Sequence, residues 1–65
     1  MNPIKLQRVV IDMKLAECAR RCGWSLGTQS GIENGTIRLT DSRMDTLEAV
    51  LGIDLRNFRS KHGAV

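Results

Sequence analysis

Two short helix-compatible segments joined by a tight turn are the feature of this chain that most constrains its fold. Ala19 lies within the first segment, where only a small side chain lets a second helix cross closely at a steep angle. Gly23 follows four residues later and can adopt the positive φ that ends a helix. Ser25 can then cap a second helix, in which Ile32 comes late enough to point back at the core. The pattern predicts a helix-turn-helix arrangement.

Helical signals also fill the rest of the chain, and no segment alternates between apolar and polar residues as a half-buried strand would. Asn2 and Pro3 form a typical helix start, Thr40 can cap a later helix, and Gly52 can end it. The first three predicted helices run from about Pro3 to Ile11, Leu15 to Cys22 and Leu26 to Glu33. A fourth helix follows the cap at Thr40 and ends at Gly52, and Asp54 can cap a short fifth helix. We expect a compact all-α domain of four to five helices over residues 1–59 and a flexible tail over residues 60–65.

Length and charge limit the possible partners without choosing among them. A chain of 65 residues has room for one small core, and its net charge of +3 is compatible with a polyanion but common in other proteins. No run approaches the roughly 20 apolar residues that span a bilayer, and no charged start precedes an apolar stretch as in a signal peptide. We therefore expect no membrane association and a cytoplasmic protein.

Side chains that could carry catalysis or bind a metal are few. Cys18 and Cys22 lie four residues apart on one predicted helix, where we expect free, reduced core residues because a disulfide within a helix is geometrically awkward. His62 has no companion ligands at a metal-binding spacing. The sequence shows no nucleophile with a base, no acid pair and no phosphate-binding loop. It therefore predicts no enzyme, no metal, no cofactor and no small-molecule effector.

Two short motifs lie at a characteristic separation. The first is Ile32-Glu33-Asn34-Gly35, and the second is Leu51-Gly52-Ile53-Asp54-Leu55. They match the Ile-Glu-Asn-Gly that often ends the recognition helix, and the Leu-Gly-Val-Ser-Leu between helices four and five, in lambda-repressor-like (Cro/C1-type) DNA-binding domains. The chain resembles this family from about Leu6 to Phe58. The resemblance implies that the third helix binds the DNA major groove, and that Arg8 and Glu33 form a partly buried structural pair.

The resemblance also places base contacts on the third helix, at Leu26, Gly27, Ser30 and Gly31, and Thr28 and Gln29 of the same helix are further candidates. Leu26 suits contact with a thymine methyl group, Thr28 and Ser30 can donate or accept, and only Gln29 could make a bidentate contact. The two glycines would allow the backbone to approach DNA closely. Gln29 stands where the family usually has Ile or Val facing the core. Either its amide is buried and satisfied, or the helix is rotated or shifted to expose it.

Polar and basic residues that flank the two helices are expected to contact phosphates on either side of the groove. They are Lys14, Ser25, Asn34, Thr36 and Arg38. For Asn34 the alternative is a purely local role at the end of the third helix. Arg20 and Arg21 fit either a phosphate contact or a solvated face. Trp24 fits either the core or a wedge against DNA.

A domain of this size contacts few phosphates, so we expect a homodimer that binds two half-sites. Family members often pair through the fifth helix and its surroundings, which implies an interface at Ile53, Leu55 and Phe58, although Phe58 could instead close the core. The sequence thus predicts a sequence-specific transcriptional regulator, a small repressor of phage, plasmid or mobile-element type that binds a palindromic operator in double-stranded DNA. The alternative is a protein-interaction module, such as an antitoxin or antiactivator, that keeps the fold but binds DNA weakly.

Overall fold

The computed structural model describes residues 2–55, and this part of the chain contains four helices and no strand. The helices are α1 (Pro3–Val10), α2 (Leu15–Cys22), α3 (Leu26–Asn34) and α4 (Asp41–Leu51). The all-α prediction is confirmed, and the ends of α1 and α3 differ from the predicted ends by one residue. Residues 53–55 are not helical. The rest of the predicted fifth helix and the predicted tail lie outside the described residues.

Side-chain caps explain why three of the helices begin where they do. Asn2 Oδ1 caps α1, Ser25 Oγ caps α3 and Thr40 Oγ1 caps α4, each accepting a first-turn backbone N–H at 2.7–3.2 Å. These bonds satisfy donors that have no partner within the helix itself. Lys14 precedes α2 and makes no side-chain cap, so α2 depends more on packing.

A three-residue turn that begins at Gly23 joins α2 to α3. Gly23 has a φ of +84°, which glycine adopts at little steric cost. Its N–H and the N–H of Trp24 both donate to the carbonyl of Ala19, at 3.0 and 3.1 Å, and these bonds close the end of α2. Ala19 is buried, and α2 packs more extensively against α3 than against any other helix. The small residue therefore lies on the buried face of α2, as the sequence predicts.

The hydrophobic core draws on every helix. Leu47 and Ile4 have no exposed surface, and the buried residues of α4 are Met44, Leu47 and Leu51. Trp24 and Cys22 pack partly buried against this core, and both cysteines are free, as predicted. The buried apolar cluster consists of Ile4, Met13, Cys18, Ile32, Met44, Leu47, Leu51 and Leu55.

Helix α1 turns most of its apolar residues outward. Ile4 is its one buried residue, whereas Leu6, Val9 and Val10 are at least half exposed. The longest helix of residues 2–55 has eleven residues, and none of the four could span a bilayer.

Candidate nucleic-acid interface

Helix α3 has one face in the core and one in solvent. The core face carries Gln29, Gly31 and Ile32, all of them buried. The solvent side, called here the outward face of α3, consists of Leu26, Gly27, Thr28, Ser30 and Asn34. Leu26, Gly27 and Asn34 are exposed, and the two hydroxyl residues are half-buried. The outward face therefore carries short uncharged side chains and no acidic group.

A chain of hydrogen bonds holds the core face of α3. The indole Nε1 of Trp24 donates to Gln29 Oε1 at 2.7 Å, and Gln29 Nε2 donates to Glu33 Oε2 at 2.8 Å. Arg8 of α1 completes the chain, because its Nε donates to Glu33 Oε2 at 2.8 Å and its Nη2 to Glu33 Oε1 at 2.9 Å. We call these four residues, Arg8, Trp24, Gln29 and Glu33, the α3 network.

The ion pair at the centre of this network is nearly dry. Only 12% of the Arg8 side chain and 6% of the Glu33 side chain are exposed. A third donor of Arg8, Nη1, binds the carbonyl of Met13 at 2.9 Å, so the guanidinium also fixes the chain that leaves α1. The predicted pair between Arg8 and Glu33 is confirmed. Bidentate geometry of this kind fixes direction as well as distance, and it sets the orientation of α3 relative to α1.

Opposing effects act on the ionisation of Glu33. Burial raises the pKa of its carboxyl group. Hydrogen bonds from Arg8 and Gln29, together with the positive charges of Arg8 and Lys5, lower this pKa by more than burial raises it, so the net pKa lies below its ordinary value. The hydrogen bond to Glu33 likewise raises the pKa of Arg8 despite the opposing effect of burial. Both groups are therefore charged at neutral pH, and the pair is a charged one.

The burial of Gln29 corrects its predicted contact with bases. Its side chain has no exposed surface, and both its oxygen and its nitrogen are engaged within the α3 network. Of the two arrangements that the sequence left open, the structure shows the buried and satisfied amide. The expected bidentate contact with a base is wrong for this conformation, because a buried side chain cannot reach a groove.

Gly31 is also removed from the set of predicted base contacts. It is buried, and a Cβ atom at this position would lie 2.5 Å from Cδ1 and Cγ1 of Ile37. The N–H groups of Thr36 and Ile37 both donate to the carbonyl of Gly31, at 2.9 and 3.0 Å. A side chain at position 31 would therefore force Ile37 to shift, because the loop after α3 folds back onto the helix, and Gly31 faces this loop rather than solvent.

The predicted phosphate contacts differ in how far they are already engaged. Lys14 and Arg38 are exposed. Ser25 Oγ caps α3 and lies 3.0 Å from the hydroxyl of Thr28. Asn34 Oδ1 accepts from the N–H and the hydroxyl of Thr36, at 3.1 and 2.8 Å, which supports the local role of Asn34 at the end of α3. The structure thus leaves the two cations as the exposed charges among the predicted set.

Sequence reasoning missed Lys5. A cleft of about 560 Å³ opens between α1 and α3, and its walls include Lys5, Ser30 and Asn34. The exposed ammonium of Lys5 therefore lies on the border of the outward face of α3. The spacing from Lys5 to Arg8 was the available signal, since residues three apart share a helix face and Arg8 was already expected to reach Glu33.

The predicted dimer residues are not a common surface in the described part of the chain. Leu55 is 2% exposed and belongs to the core, so its assignment to an interface is wrong. Ile53 packs half-buried against the same core. Phe58 lies outside the described residues.

No protein-family model, no curated protein and no solved structure matches this chain. Among residues 2–55, no group of three or more His, Cys, Asp or Glu side chains could hold a metal ion. Function is therefore inferred from the residues and their geometry.

Proposed function

We propose that this protein is a sequence-specific, DNA-binding transcriptional regulator that inserts α3 into the major groove. The observation that carries the proposal is that the side chains on the outward face of α3 are short and uncharged. The one acidic residue of α3, Glu33, is turned inward and paired with Arg8. A helix that hides its carboxylate can approach a polyanion without like-charge repulsion.

Groups on the outward face suit direct contact with base edges. Leu26 is 52% exposed at the first position of α3 and can contact a thymine methyl group. Thr28 and Ser30 carry hydroxyl groups that can donate or accept. Gly27 lets the backbone approach the groove, since it presents only hydrogen. With Gln29 buried, the one amide left on this face is that of Asn34, whose Oδ1 already accepts two hydrogen bonds from Thr36, so the proposal includes a contribution from DNA shape.

Cations at the edges of the outward face would supply the electrostatic part of binding. Lys14 precedes α2, Arg38 follows α3, and Lys5 borders the cleft between α1 and α3. Each phosphate that such a cation neutralises releases condensed counterions, which makes affinity fall steeply with salt. The proposed protein is a small repressor that binds a palindromic operator as a dimer in the cytoplasm.

The burial of Gln29 favours a second candidate function. Without that residue the outward face has few groups that discriminate bases. Its exposed Leu26, at the first position of α3, also suits contact with a protein partner. The second candidate is therefore a protein-interaction module of antitoxin or antiactivator type. Its binding would depend little on salt.

Selection from random double-stranded DNA, followed by titration of the enriched site at several salt concentrations, tests the first proposal. We expect an enriched palindrome and a steep salt dependence. Arg38→Ala should weaken binding to all sequences and lower the slope of log K against log salt by about 1. Arg20→Ala decides between the two interpretations of that exposed arginine of α2: an unchanged slope would show a solvated face, and a slope lowered by about 1 would show a further phosphate contact.

Base contacts are tested separately from phosphate contacts. Ser30→Ala should relax sequence preference at one position of the enriched site and cost about 0.5–1.5 kcal/mol of discrimination there, the value of a single hydrogen bond. Weak binding that is uniform across all sequences, with no enriched site, would exclude operator recognition and favour the interaction module.

A further inference from the structure

The last residue of α3 is an asparagine that is followed directly by glycine. Gly35 is the C-cap of the helix and has a φ of +86°. Both Asn34 and Gly35 are exposed. The other asparagines of the chain, Asn2 and Asn57, precede proline and phenylalanine. Asn34 is therefore the one asparagine whose following peptide nitrogen has an N–H and no side chain beside it.

Hydrogen bonds from Thr36 hold the side-chain amide of Asn34. The N–H of Thr36 donates to Asn34 Oδ1 at 3.1 Å, and its hydroxyl donates to the same oxygen at 2.8 Å. A side-chain oxygen that binds the N–H two residues on closes a small ring, which contains both Cγ of Asn34 and the nitrogen of Gly35. The amide carbon is thereby held near the nitrogen that can attack it to form a five-membered ring.

The oxygen that Thr36 binds is also the one on which charge would develop. When a nitrogen attacks an amide carbon, negative charge moves to the carbonyl oxygen, and donors already in place stabilise the tetrahedral intermediate. The two donors of Thr36 lie within 3.1 Å of Asn34 Oδ1. The folded chain therefore provides a stabilising site for this intermediate.

The attacking nitrogen is only loosely held. The N–H of Gly35 donates to the carbonyl of Gly31, which also accepts the N–H groups of Thr36 and Ile37 at 2.9 and 3.0 Å. A carbonyl oxygen has two lone pairs, so three donors cannot all be fully bonded to it. Helix ends also fray. The N–H of Gly35 can therefore be released while the core stays folded.

We infer that Asn34 and Gly35 form a self-modification site, at which the folded protein converts Asn34 to an acidic residue. The nitrogen of Gly35 gives its proton to solvent and bonds to Cγ of Asn34. The bond from Cγ to Nδ2 then breaks, ammonia leaves with a proton taken from water, and a cyclic imide remains.

Water completes the reaction by opening the imide ring. Attack at one carbonyl gives aspartate, and attack at the other gives isoaspartate, in which the main chain passes through Cγ. The net reaction consumes water and releases ammonia, and it requires no oxidant or reductant.

Either product places a carboxylate on the outward face of α3. That face carries no acidic group before the reaction, and Asn34 lines the same cleft as Lys5. The new carboxylate would repel a polyanion and would compete with phosphate for the ammonium of Lys5. Modification therefore lowers the affinity of the proposed interface as the protein ages. This consequence rests on the proposed function, whereas the reaction itself does not.

Mass spectrometry of proteolytic peptides, after incubation of the 65-residue chain at neutral pH, tests the reaction. We expect the peptide that contains Asn34 to gain the mass that separates a carboxyl group from an amide, well before the peptide that contains Asn57. Asn34→Gln is the matched control. Glutamine would have to close a six-membered ring, so this variant should stay unmodified over the same period.

Two substitutions test the role of the Thr36 hydroxyl. Thr36→Val keeps the branched shape but removes one donor, and should slow the conversion of Asn34 about two- to tenfold, the value of one hydrogen bond. Thr36→Ser keeps the hydroxyl and should retain the rate. Circular dichroism of each variant confirms that it is folded.

Urea below the unfolding transition separates reaction of the folded chain from reaction after unfolding. We expect a nearly constant rate of conversion. A route through global unfolding would instead speed up with urea as the free energy of unfolding falls, and that result would overturn the inference. Conversion of Asn34 no faster than that of Asn57, or equal rates in Thr36→Val and the unsubstituted chain, would overturn it as well.

The effect on DNA binding has its own test. Asn34→Asp is a stable copy of one product and should weaken binding to the enriched site about tenfold more than Asn34→Ala, which removes the amide without adding charge. Equal binding by the two variants would overturn the effect of the new carboxylate. A chain that binds no DNA before modification would overturn the proposed function, while the mass spectra would still establish the reaction.

Discussion

Helices α3 and α4 are anchored in the same core by different means. Helix α4 inserts Met44, Leu47 and Leu51, which are apolar and at most 3% exposed. Helix α3 inserts one large apolar residue, Ile32, and otherwise binds through Gln29 and Glu33. Apolar burial depends on area and has little direction, whereas hydrogen bonds in a dry site fix the rotation of the helix. The helix proposed to contact DNA is thus held by the directional kind of interaction.

The largest expected effect comes from breaking the ion pair between Arg8 and Glu33 in the α3 network. Glu33→Ala leaves the guanidinium of Arg8 unpaired in a site where it is 12% exposed, and we expect a loss of about 3–5 kcal/mol in the free energy of unfolding. Urea denaturation at neutral pH measures it. Glu17→Ala is the control, because Glu17 pairs with Arg21 at 2.7 Å on the surface and should cost at most about 1 kcal/mol. Equal losses in the two variants would show that burial of the Arg8 pair has no special weight.

Removing an apolar side chain of α4 from the core should lower the free energy of unfolding by a similar amount. Leu47→Ala removes a side chain with no exposed surface and should cost about 2–5 kcal/mol, depending on how far the core collapses around the cavity. The same denaturation experiment measures this loss. In contrast to Glu33→Ala, its cost should be the same at neutral and at mildly acidic pH. A cost that changes with pH would contradict the conclusion that α4 is held in the core by apolar packing alone.

Substitution of Gln29 tests whether the residues of the α3 network depend on one another. Gln29→Leu keeps approximate volume but leaves the indole N–H of Trp24 and one lone pair of Glu33 without their partner. We expect a loss of about 1–3 kcal/mol in stability and an upfield shift of the indole N–H proton resonance. An unchanged resonance would show that Trp24 does not depend on Gln29 in solution.

Two glycines on α3 sharpen the comparison between its faces. Gly31→Ala places a methyl group against Ile37, whereas Gly27→Ala places one where the nearest atom is Ser25 Oγ at 3.9 Å. Both substitutions gain roughly 1 kcal/mol of helix propensity, so their difference isolates the cost of crowding. Thermal unfolding should show Gly31→Ala less stable than Gly27→Ala by about 1–3 kcal/mol. Equal stabilities would show that Ile37 moves aside freely.

The pH dependence of stability should give the smallest of these effects. Because the pKa of Glu33 is lowered in the folded protein, the ion pair contributes fully above the ordinary carboxyl pKa of 4.5 and loses its contribution as pH falls through the lower folded value. We therefore expect the urea midpoint to drop below about pH 4.5. Glu33→Gln should have a shallower dependence in that range, and parallel curves would contradict the assignment.

Helix boundaries could be predicted because local chemistry sets them. The caps at Asn2, Ser25 and Thr40 act within one turn of their own position. The partners of Gln29 could not be predicted in the same way, because its satisfaction depends on how Trp24 packs after the turn. Leu55 and Leu6 show the same limit: both are apolar, yet one is buried and the other half exposed. Which apolar residue reaches the core is decided by tertiary packing.

The hydrogen bond from Trp24 to Gln29 also makes the protein its own optical probe. Trp24 is the only tryptophan of the chain, and there is no tyrosine to obscure its emission. Its indole sits at the start of α3 and is bonded to the network that orients that helix. Intrinsic fluorescence therefore reports how α3 packs on the core beside Trp24, so loosening of this helix can be followed without attaching a label.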